Sequence, residues 1–254
     1  VKERETLFIS LDQYTRTPNE KYKKEFRLQA ITDYVNGIKN EHNFNIPQAK
    51  LKIIKSWPFI YWISDEFRKK FGASPLEKVA AIVSGVKTGN NNGALRYWWE
   101  LDDRTIFNGK NELQWVVYTK GGPFRQWSGN HWLCVNYANN ASYIRNQNSY
   151  NLVDEKYWKN AGLSYSGSGS KGISFRYKPT GVLFDMGASG VFPEYDIFYS
   201  LAALNSKLIF YITNCLNPTV NKQPNDVKRI PLPDTRSDIV PDLKMLSKRN
   251  VEIY

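Results

Sequence analysis

The chain has 254 residues, 41% of them hydrophobic and 15% aromatic, and a formal net charge of +11. That length holds one large domain or a domain with appendages, with ample apolar content for a packed core. The charge excess bears on partners rather than fold: it fits an acidic polymer, nucleic acid ahead of an anionic membrane surface, or simply a solvated lysine-rich exterior.

No apolar run approaches the roughly eighteen residues of a membrane span, and no signal peptide is recognised. Cys134 and Cys215 lie far apart and outside any C-x-x-C pattern, so neither a disulfide framework nor a zinc site is indicated. With only His42 and His131, a metal site or a histidine-based triad is poorly supplied. The expectation is a cytoplasmic protein with reduced thiols, no membrane association and no metal. The chain starts without Met and ends at Val251-Glu252-Ile253-Tyr254 in an uncapped helical pattern, which reads as a piece of something longer.

In chain order, Thr6 to Leu11 alternates weakly as a short strand. Thr17-Pro18-Asn19-Glu20 has the form of a capping box with proline at the first helical position. Leu28, Ile31, Val35 and Ile38 follow at spacings of three and four, predicting an amphipathic helix over 18–40 that Gly37 weakens at its end. Its Lys21, Lys23, Lys24 and Arg27 form either a solvated face or a phosphate contact. Residues 43–58 read as an extended connection. Ile60, Ile63, Phe67 and Phe71 recur at helical spacing, with Arg68, Lys69 and Lys70 in the last turn and Gly72 after it. Ser74-Pro75-Leu76-Glu77 is a second capping box, opening a helical turn that runs into apolar 79–83.

From there to about Asp185, short strands alternate with Gly, Asn and Ser. The candidates are 81–86, 97–101, 115–118, 132–137, 173–177 and 182–184, with a short helix at 154–160. Regular βαβ units are absent. A helix over 196–216 presents Leu201, Leu204, Leu208, Ile212 and Cys215 on one face and stops at Asn217-Pro218. Ile230-Pro231-Leu232-Pro233 is an extended boundary, and a basic helical segment follows Pro241. The fold class expected is mixed α+β: a twisted, largely antiparallel sheet with long loops, flanked by helices and ending in a spacer helix.

Three loops carry candidate chemistry. In Ser84–Gly93, Asn90, Asn91 and Asn92 can pair with adenine edges, while Lys87 can reach guanine or phosphate beside Thr88. The spacing of a Walker loop is lacking, and a polar hairpin is the alternative. In Lys120–Asn130, a Gly121-Gly122-Pro123 turn sets Lys120 and Arg125 among Phe124, Trp127 and Asn130. Trp115, Val117, Phe124 and Trp127 also read as core, tryptophan being more often buried than stacked on a ligand; arginine is a guanine reader and a phosphate clamp. Gly167-Ser168-Gly169-Ser170-Lys171-Gly172 matches G-x-G-x-x-G, but the strand pattern Ile173-Ser174-Phe175-Arg176-Tyr177 follows where a helix would be needed. A flexible loop bringing Lys171 and Arg176 near a phosphate backbone is favoured instead. Val182–Gly190 resembles the first cofactor motif of S-adenosylmethionine methyltransferases incompletely, with only 64 residues after Gly190 and no Asn-Pro-Pro-Tyr anywhere.

In order, these residues resemble the C-terminal specificity region of PglX-like adenine-specific DNA methyltransferases, found in bacteriophage-exclusion systems and fused restriction-modification enzymes. The matching segments are Phe59-Ile60-Tyr61-Trp62-Ile63-Ser64, Gly85-Val86-Lys87-Thr88-Gly89-Asn90, and Lys120-Gly121-Gly122-Pro123-Phe124-Arg125-Gln126-Trp127. They continue with Gly181-Val182-Leu183-Phe184-Asp185, Leu204-Asn205-Ser206-Lys207 through Leu216-Asn217-Pro218-Thr219, and Ile230-Pro231-Leu232-Pro233. The resemblance covers roughly residues 57–250, and type I restriction specificity subunits are similar in the same way.

The resemblance implies that residues 1–56 are the tail of a catalytic domain plus its connection, 57–233 a DNA target-recognition domain, and 234–254 the start of a spacer helix. It implies double-stranded DNA and the parent's catalytic domain as partners, a monomer, and S-adenosylmethionine for the parent but no cofactor or catalytic residue here. The DNA-contacting set expected is Lys87, Thr88, Asn90, Asn91, Asn92, Lys120, Arg125, Trp127, Asn130, Lys171 and Arg176. Two rivals remain: a complete divergent methyltransferase with its cofactor at Asp185–Gly190, and a carbohydrate-binding or scaffold module.

Overall fold

The computed structural model describes residues 4–10, 20–56, 58–110, 114–232 and 238–253, with the side chains of 20–23 left out. The capping box at 17–19, the end of the first predicted strand at Leu11 and the final proline of the 230–233 boundary lie outside the described residues. By its contacts the chain divides into two compact units, Val1–Gly72 and Ala73–Tyr254. The fold is mixed α+β.

In the first unit, β1 (Glu5–Ile9) and β2 (Asn43–Pro47) pair antiparallel with Phe8 opposite Phe44. Between them runs helix α1 (Glu20–Val35), and after β2 come α2 (Gln48–Leu51) and α3 (Asp65–Lys69). Phe8 stacks on Tyr61, with ring centroids 4.6 Å apart. Ile60 and Ile63 are buried ahead of α3 in non-helical backbone. The helix predicted there therefore begins only after Ser64, whose hydroxyl accepts from the Phe67 amide at 3.1 Å.

The stripe predicted to be buried on the first helix is instead on its outside. Leu28, Ile31, Val35 and Ile38 are 50–76% exposed. The helix buries Ala30, sets Phe26 edge-on against His42, and holds Asn40 on Asp33 at 3.0 Å. Residues 26 and 28 lie about 200° apart around a helix. Since α1 is apolar on both sides, periodicity could not say which side packs.

The second unit contains β3 (Ala80–Val83), β4 (Leu95–Tyr97), β5 (Trp115–Thr119), β6 (Leu133–Asn136), β7 (Gly162–Tyr165), β8 (Phe175–Lys178), β9 (Leu183–Phe184) and β10 (Gly190–Pro193). Its helices are α4 (Asn91–Ala94), α5 (Ala138–Arg145), α6 (Glu155–Trp158), α7 (Ile197–Leu204), α8 (Lys207–Leu216), α9 (Pro224–Lys228) and α10 (Val240–Ile253). One sheet has the order β3-β10-β7-β8, the other β4-β6-β5-β9. All strand pairs are antiparallel except β5 with β9. Val116 and Tyr118 of β5 point into a core shared with Val135, Tyr137, Ile144, Trp158, Leu183 and Phe184.

Several predicted elements shift. The strand placed at 97–101 ends at Tyr97 and tightens into a 3-10 turn, Trp98–Glu100, because the Glu100 carboxylate accepts from the Tyr97 amide at 2.8 Å. The capping box at Ser74 gives only a 3-10 turn, Leu76–Lys78, without a side-chain cap. Strands β7 and β10 have no counterpart among the predicted elements. Both open on glycine, and β7 is buried at all four positions, so neither alternates as a half-buried strand would. Helix α5 was also unforeseen; Asn139, Asn140 and Ala141 within it take positive φ, which no periodicity signals.

The long helix predicted over 196–216 is two helices. Asn205 leaves the helix and pairs with the backbone of Phe175 in β8, accepting from its amide at 2.9 Å and donating to its carbonyl at 2.9 Å. Ser206 then caps α8, accepting from the Ile209 amide at 3.2 Å. The apolar face is re-phased: α8 buries Ile209, Ile212 and Leu216, while Leu208 is 40% exposed. Helix α10 packs on α7, with Lys244 3.4 Å from Asp196.

Replacing Asn205 by Ala leaves the Phe175 amide unpaired, while its carbonyl keeps the Trp127 amide, and is expected to lower stability by about 2 kcal/mol in urea unfolding. Ser206→Ala should cost about 1 kcal/mol. A smaller loss for Asn205→Ala than for Ser206→Ala would show that the strand pairing contributes little.

Candidate nucleic-acid interface

The candidate surface is built around four consecutive residues, Phe184 to Gly187, that begin at the last residue of β9. The Phe184 carbonyl accepts from the Val86 amide at 2.7 Å, and the Met186 amide donates to the Val86 carbonyl at 3.1 Å. The Asp185 amide donates to the Thr119 carbonyl at 2.9 Å, and the Gly187 carbonyl accepts from the Gly167 amide at 2.9 Å. All three loops singled out from the sequence are therefore anchored on one short segment. Close approach is required: a Cβ on Gly85 would stand 2.2 Å from the Asp185 carbonyl oxygen, and one on Gly121 would stand 3.1 Å from that of Gly187.

In the first loop, Lys87 exchanges backbone hydrogen bonds with Asn151 at 2.9 and 3.0 Å, and its Nζ donates to Ser149 Oγ at 2.5 Å. Thr88 is buried and donates to Asn91 Oδ1 at 2.7 Å. Asn90 caps α4 by accepting from the Gly93 amide. Asn91 and Asn92 are exposed.

The second loop leaves β5 at Lys120 and is closed at its far end, where Thr119 Oγ1 and His131 Nδ1 lie 2.6 Å apart. Trp127 and Asn130 sit at φ of 72° and 66°, a left-handed conformation that costs about 1–3 kcal/mol for such residues. The loop is held there by β8: the Trp127 amide donates to Phe175 and its carbonyl accepts from Tyr177 at 2.8 Å. Asn130 is 2% exposed and donates to the Pro123 carbonyl. Arg125 is exposed. Arg176 has no exposure at all; it donates to Ser166 Oγ at 3.0 Å and reaches the Arg125 carbonyl at 3.5 Å. Burial pulls its guanidinium down to about 10, so it stays charged at neutral pH.

The third loop is strapped to the segment after α8 through Lys222 to Gly167 at 2.6 Å and Gly169 to Val220 at 3.1 Å. Lys171 is exposed on it. No helix follows the G-x-G-x-x-G residues, only Ile173, Ser174 and then β8.

Of the eleven expected contact residues, Lys87, Thr88, Asn91 and Lys120 line one open cavity of about 280 Å³, together with Asp185 and Met186. Asn90 and Asn92 flank it in sequence. Arg125 and Lys171 are solvent-accessible on the other two loops. Trp127, Asn130 and Arg176 hold the second loop against β8, and the burial of Asn130 and Arg176 keeps those side chains from reaching a ligand without rearrangement. A larger cavity of about 520 Å³ beside Phe107 and Gly181 has Lys159 as its one basic lining residue, and Glu155 already pairs with that lysine at 2.5 Å.

Two features escaped the sequence reading. Sequence patterning points to Asp185 only through the cofactor-like motif and the Gly181–Asp185 segment, not as a contact residue. Its Oδ1 accepts from the Gly187 amide at 2.7 Å and its Oδ2 from the Tyr118 hydroxyl at 2.8 Å. Burial, and then the Asp185 charge, raise the Tyr118 phenol well above its ordinary value, so it remains a donor. The segment then makes a 3-10 turn and enters β10. With the Gly187 amide already taken and no helix N-terminus following, these residues do not fit S-adenosylmethionine. The second feature is an aromatic ledge, Tyr97, Trp98 and Trp99, 43–57% exposed, with Tyr97 and Trp99 stacked at 4.5 Å. Its signal in the sequence is the run of three adjacent aromatics.

Among the described residues no group of three or more His, Cys, Asp or Glu could hold a metal ion, and no helix is long and apolar enough to cross a membrane. Cys134 and Cys215 are both buried and outside any disulfide.

This mixed fold with a basic, loop-built surface is similar in sequence to one part of adenine-specific methyltransferases. Over 240 residues the chain is 30% identical to the adenine-specific methyltransferase BrxX of Escherichia coli O9:H4 (strain HS), which covers 92% of this chain and 19% of that protein. Over 235 residues it is 27% identical to the adenine-specific methyltransferase PglX of Lacticaseibacillus casei (strain Zhang), covering 85% of this chain and 20% of that protein. The chain thus spans about a fifth of the length of the curated relatives it matches. No protein-family profile matches it.

His131 supplies a pH test of the loop closure. Burial, then the charges of Arg176 and Lys178, depress it from 6.5 to about 4. The unfolded chain therefore takes up this proton first, and stability is lost as pH falls from about 6.5 through about 4. Thermal unfolding of His131→Gln should show a shallower acid loss over that range than the wild type. Parallel curves would mean that His131 is not held neutral in the folded chain.

Proposed function

We propose that this chain is the target-recognition part of a larger adenine-specific DNA methyltransferase of a phage-defence or restriction-modification system. It binds double-stranded DNA and presents a site to a catalytic domain outside residues 1–254. The observation that carries this reading is the meeting of Lys87, Thr88, Asn91 and Lys120 in one cavity, in a chain of net charge +11. The similarity to a fifth of two adenine-specific methyltransferases supports it. Methyl transfer, base flipping and S-adenosylmethionine belong to the catalytic domain.

In this reading residues 57–233 carry recognition, residues 1–56 connect to the catalytic domain, and α10 begins a spacer. Lys87, Lys120, Arg125 and Lys171 neutralise phosphates or read guanine, and the asparagines of the first loop reach base edges. Trp127, Asn130 and Arg176 position the second loop rather than touch DNA. The exposed Tyr97–Trp99 ledge adds stacking area beside the first loop.

A gel-shift series in rising salt tests the proposal. Log affinity should fall linearly with log salt, and Lys87→Ala with Lys120→Ala should flatten that slope by about 2. A slope near zero, with binding to glycans in its place, would turn the assignment to a carbohydrate-binding module. Arg125→Ala should cost about 1–3 kcal/mol if Arg125 reads a base. Unchanged affinity and unchanged sequence preference would remove it from the readout surface.

A further inference from the structure

The cavity between the first two loops contains a group that a phosphate-binding surface does not want. Asp185 lines it together with Lys87 and Lys120, and a carboxylate there repels the DNA backbone that the lysines attract. Simple electrostatic capture of DNA would be stronger without it. Its two structural bonds, to Gly187 and Tyr118, use one acceptor position on each oxygen. A carboxylate oxygen has two such positions, so these bonds saturate neither oxygen of a residue that lines the cavity. A neutral Asn could serve Gly187 equally well. The Tyr118 hydroxyl also has a second acceptor, the Val86 carbonyl at 3.2 Å. The negative charge thus exceeds what the local fold needs.

On the base edges of the major groove, the hydrogen-bond donors are the N6 amino group of adenine and the N4 amino group of cytosine. We propose that Asp185 is a base-reading residue that accepts a hydrogen bond from the exocyclic amino group of adenine or cytosine, and that its charge penalises sites lacking that donor. Lys87 and Lys120 hold the backbone on either side, and Asn91 lies within the same cavity to complete a base edge. Affinity and discrimination are thereby separated: the lysines supply the first, and the carboxylate costs some of it in return for the second.

The assignment rests on the DNA-recognition reading, and one experiment keeps the two apart. The 254-residue chain is used to select from a randomised duplex library at fixed salt, and bound sequences are compared for wild type, Asp185→Asn and Tyr118→Phe. The wild type should enrich a site with one position held as adenine or cytosine. Asp185→Asn should relax that position about tenfold while binding non-target duplex more tightly. Tyr118→Phe removes the phenol–carboxylate bond but keeps the charge, and should retain the preference. Replacing the base at that position in synthetic duplex by purine or 2-pyrimidinone, which lack the amino group, should weaken wild-type binding by a similar factor. This second arm holds even if Asp185→Asn does not fold.

A preference unchanged in folded Asp185→Asn, or unchanged binding to the amino-less duplex, overturns the assignment of Asp185 alone. Equal loss of preference in Tyr118→Phe reduces Asp185 to a scaffold role. A wild-type chain that binds no duplex overturns the recognition reading and this assignment with it.

Discussion

The second unit depends on the backbone of Phe184 to Gly187. Within four residues it bonds to Val86, Thr119 and Gly167, each the root of a different loop. None of these loops can move far without giving up a backbone hydrogen bond at the shared segment, each worth about 1 kcal/mol net. The close fit at Gly85 leaves no room for a side chain there, and at Gly121 a Cβ would be tight against the Gly187 carbonyl. Loops placed in this way form a surface of defined shape, as a reader of base edges requires and a merely basic tail does not.

The basic residues divide into two populations that the net charge of +11 conceals. Lys87, Arg125 and Lys171 face solvent, whereas Arg176 and Lys178 are fully buried in β8. Lys178 Nζ is surrounded by the carbonyls of Trp158, Asn160, Pro179 and Val182 at 2.7–3.4 Å. Burial pulls its pKa down to about 7, and the four carbonyl oxygens oppose the loss of its proton. Such cations are structural: they satisfy backbone acceptors where no carboxylate is at hand. Arg176, expected from the sequence to contact DNA, is equally buried, with only Nη1 hydrogen-bonded, to Ser166 Oγ and the Arg125 carbonyl.

Local chemistry was legible where one residue type determines one outcome. Strands β5 and β6, the short helix expected over 154–160 and the basic turn after β5 all stand where propensity and turn residues placed them. The readings that failed share a cause. Leu28, Ile31, Val35 and Ile38 form a good helical stripe, but Phe26 and Ala30 form another, and contacts with His42 and Asn43 chose between them. The 196–216 periodicity runs through Asn205 unbroken, yet β8 offers that side chain two backbone partners worth more than one further helical turn.

By itself, then, the sequence determined the class of fold, the basic character of the surface and the three loops from which a nucleic-acid interface could be drawn. Those follow from composition, turn residues and short-range spacing, which act within a few residues. Only the tertiary structure decided that Lys87 and Lys120 share a cavity, that Arg176 and Asn130 do not line it, and that Asp185 does. Residues 87, 120 and 185 are brought together by strand pairing across long stretches of chain, and no local preference encodes a contact at that separation.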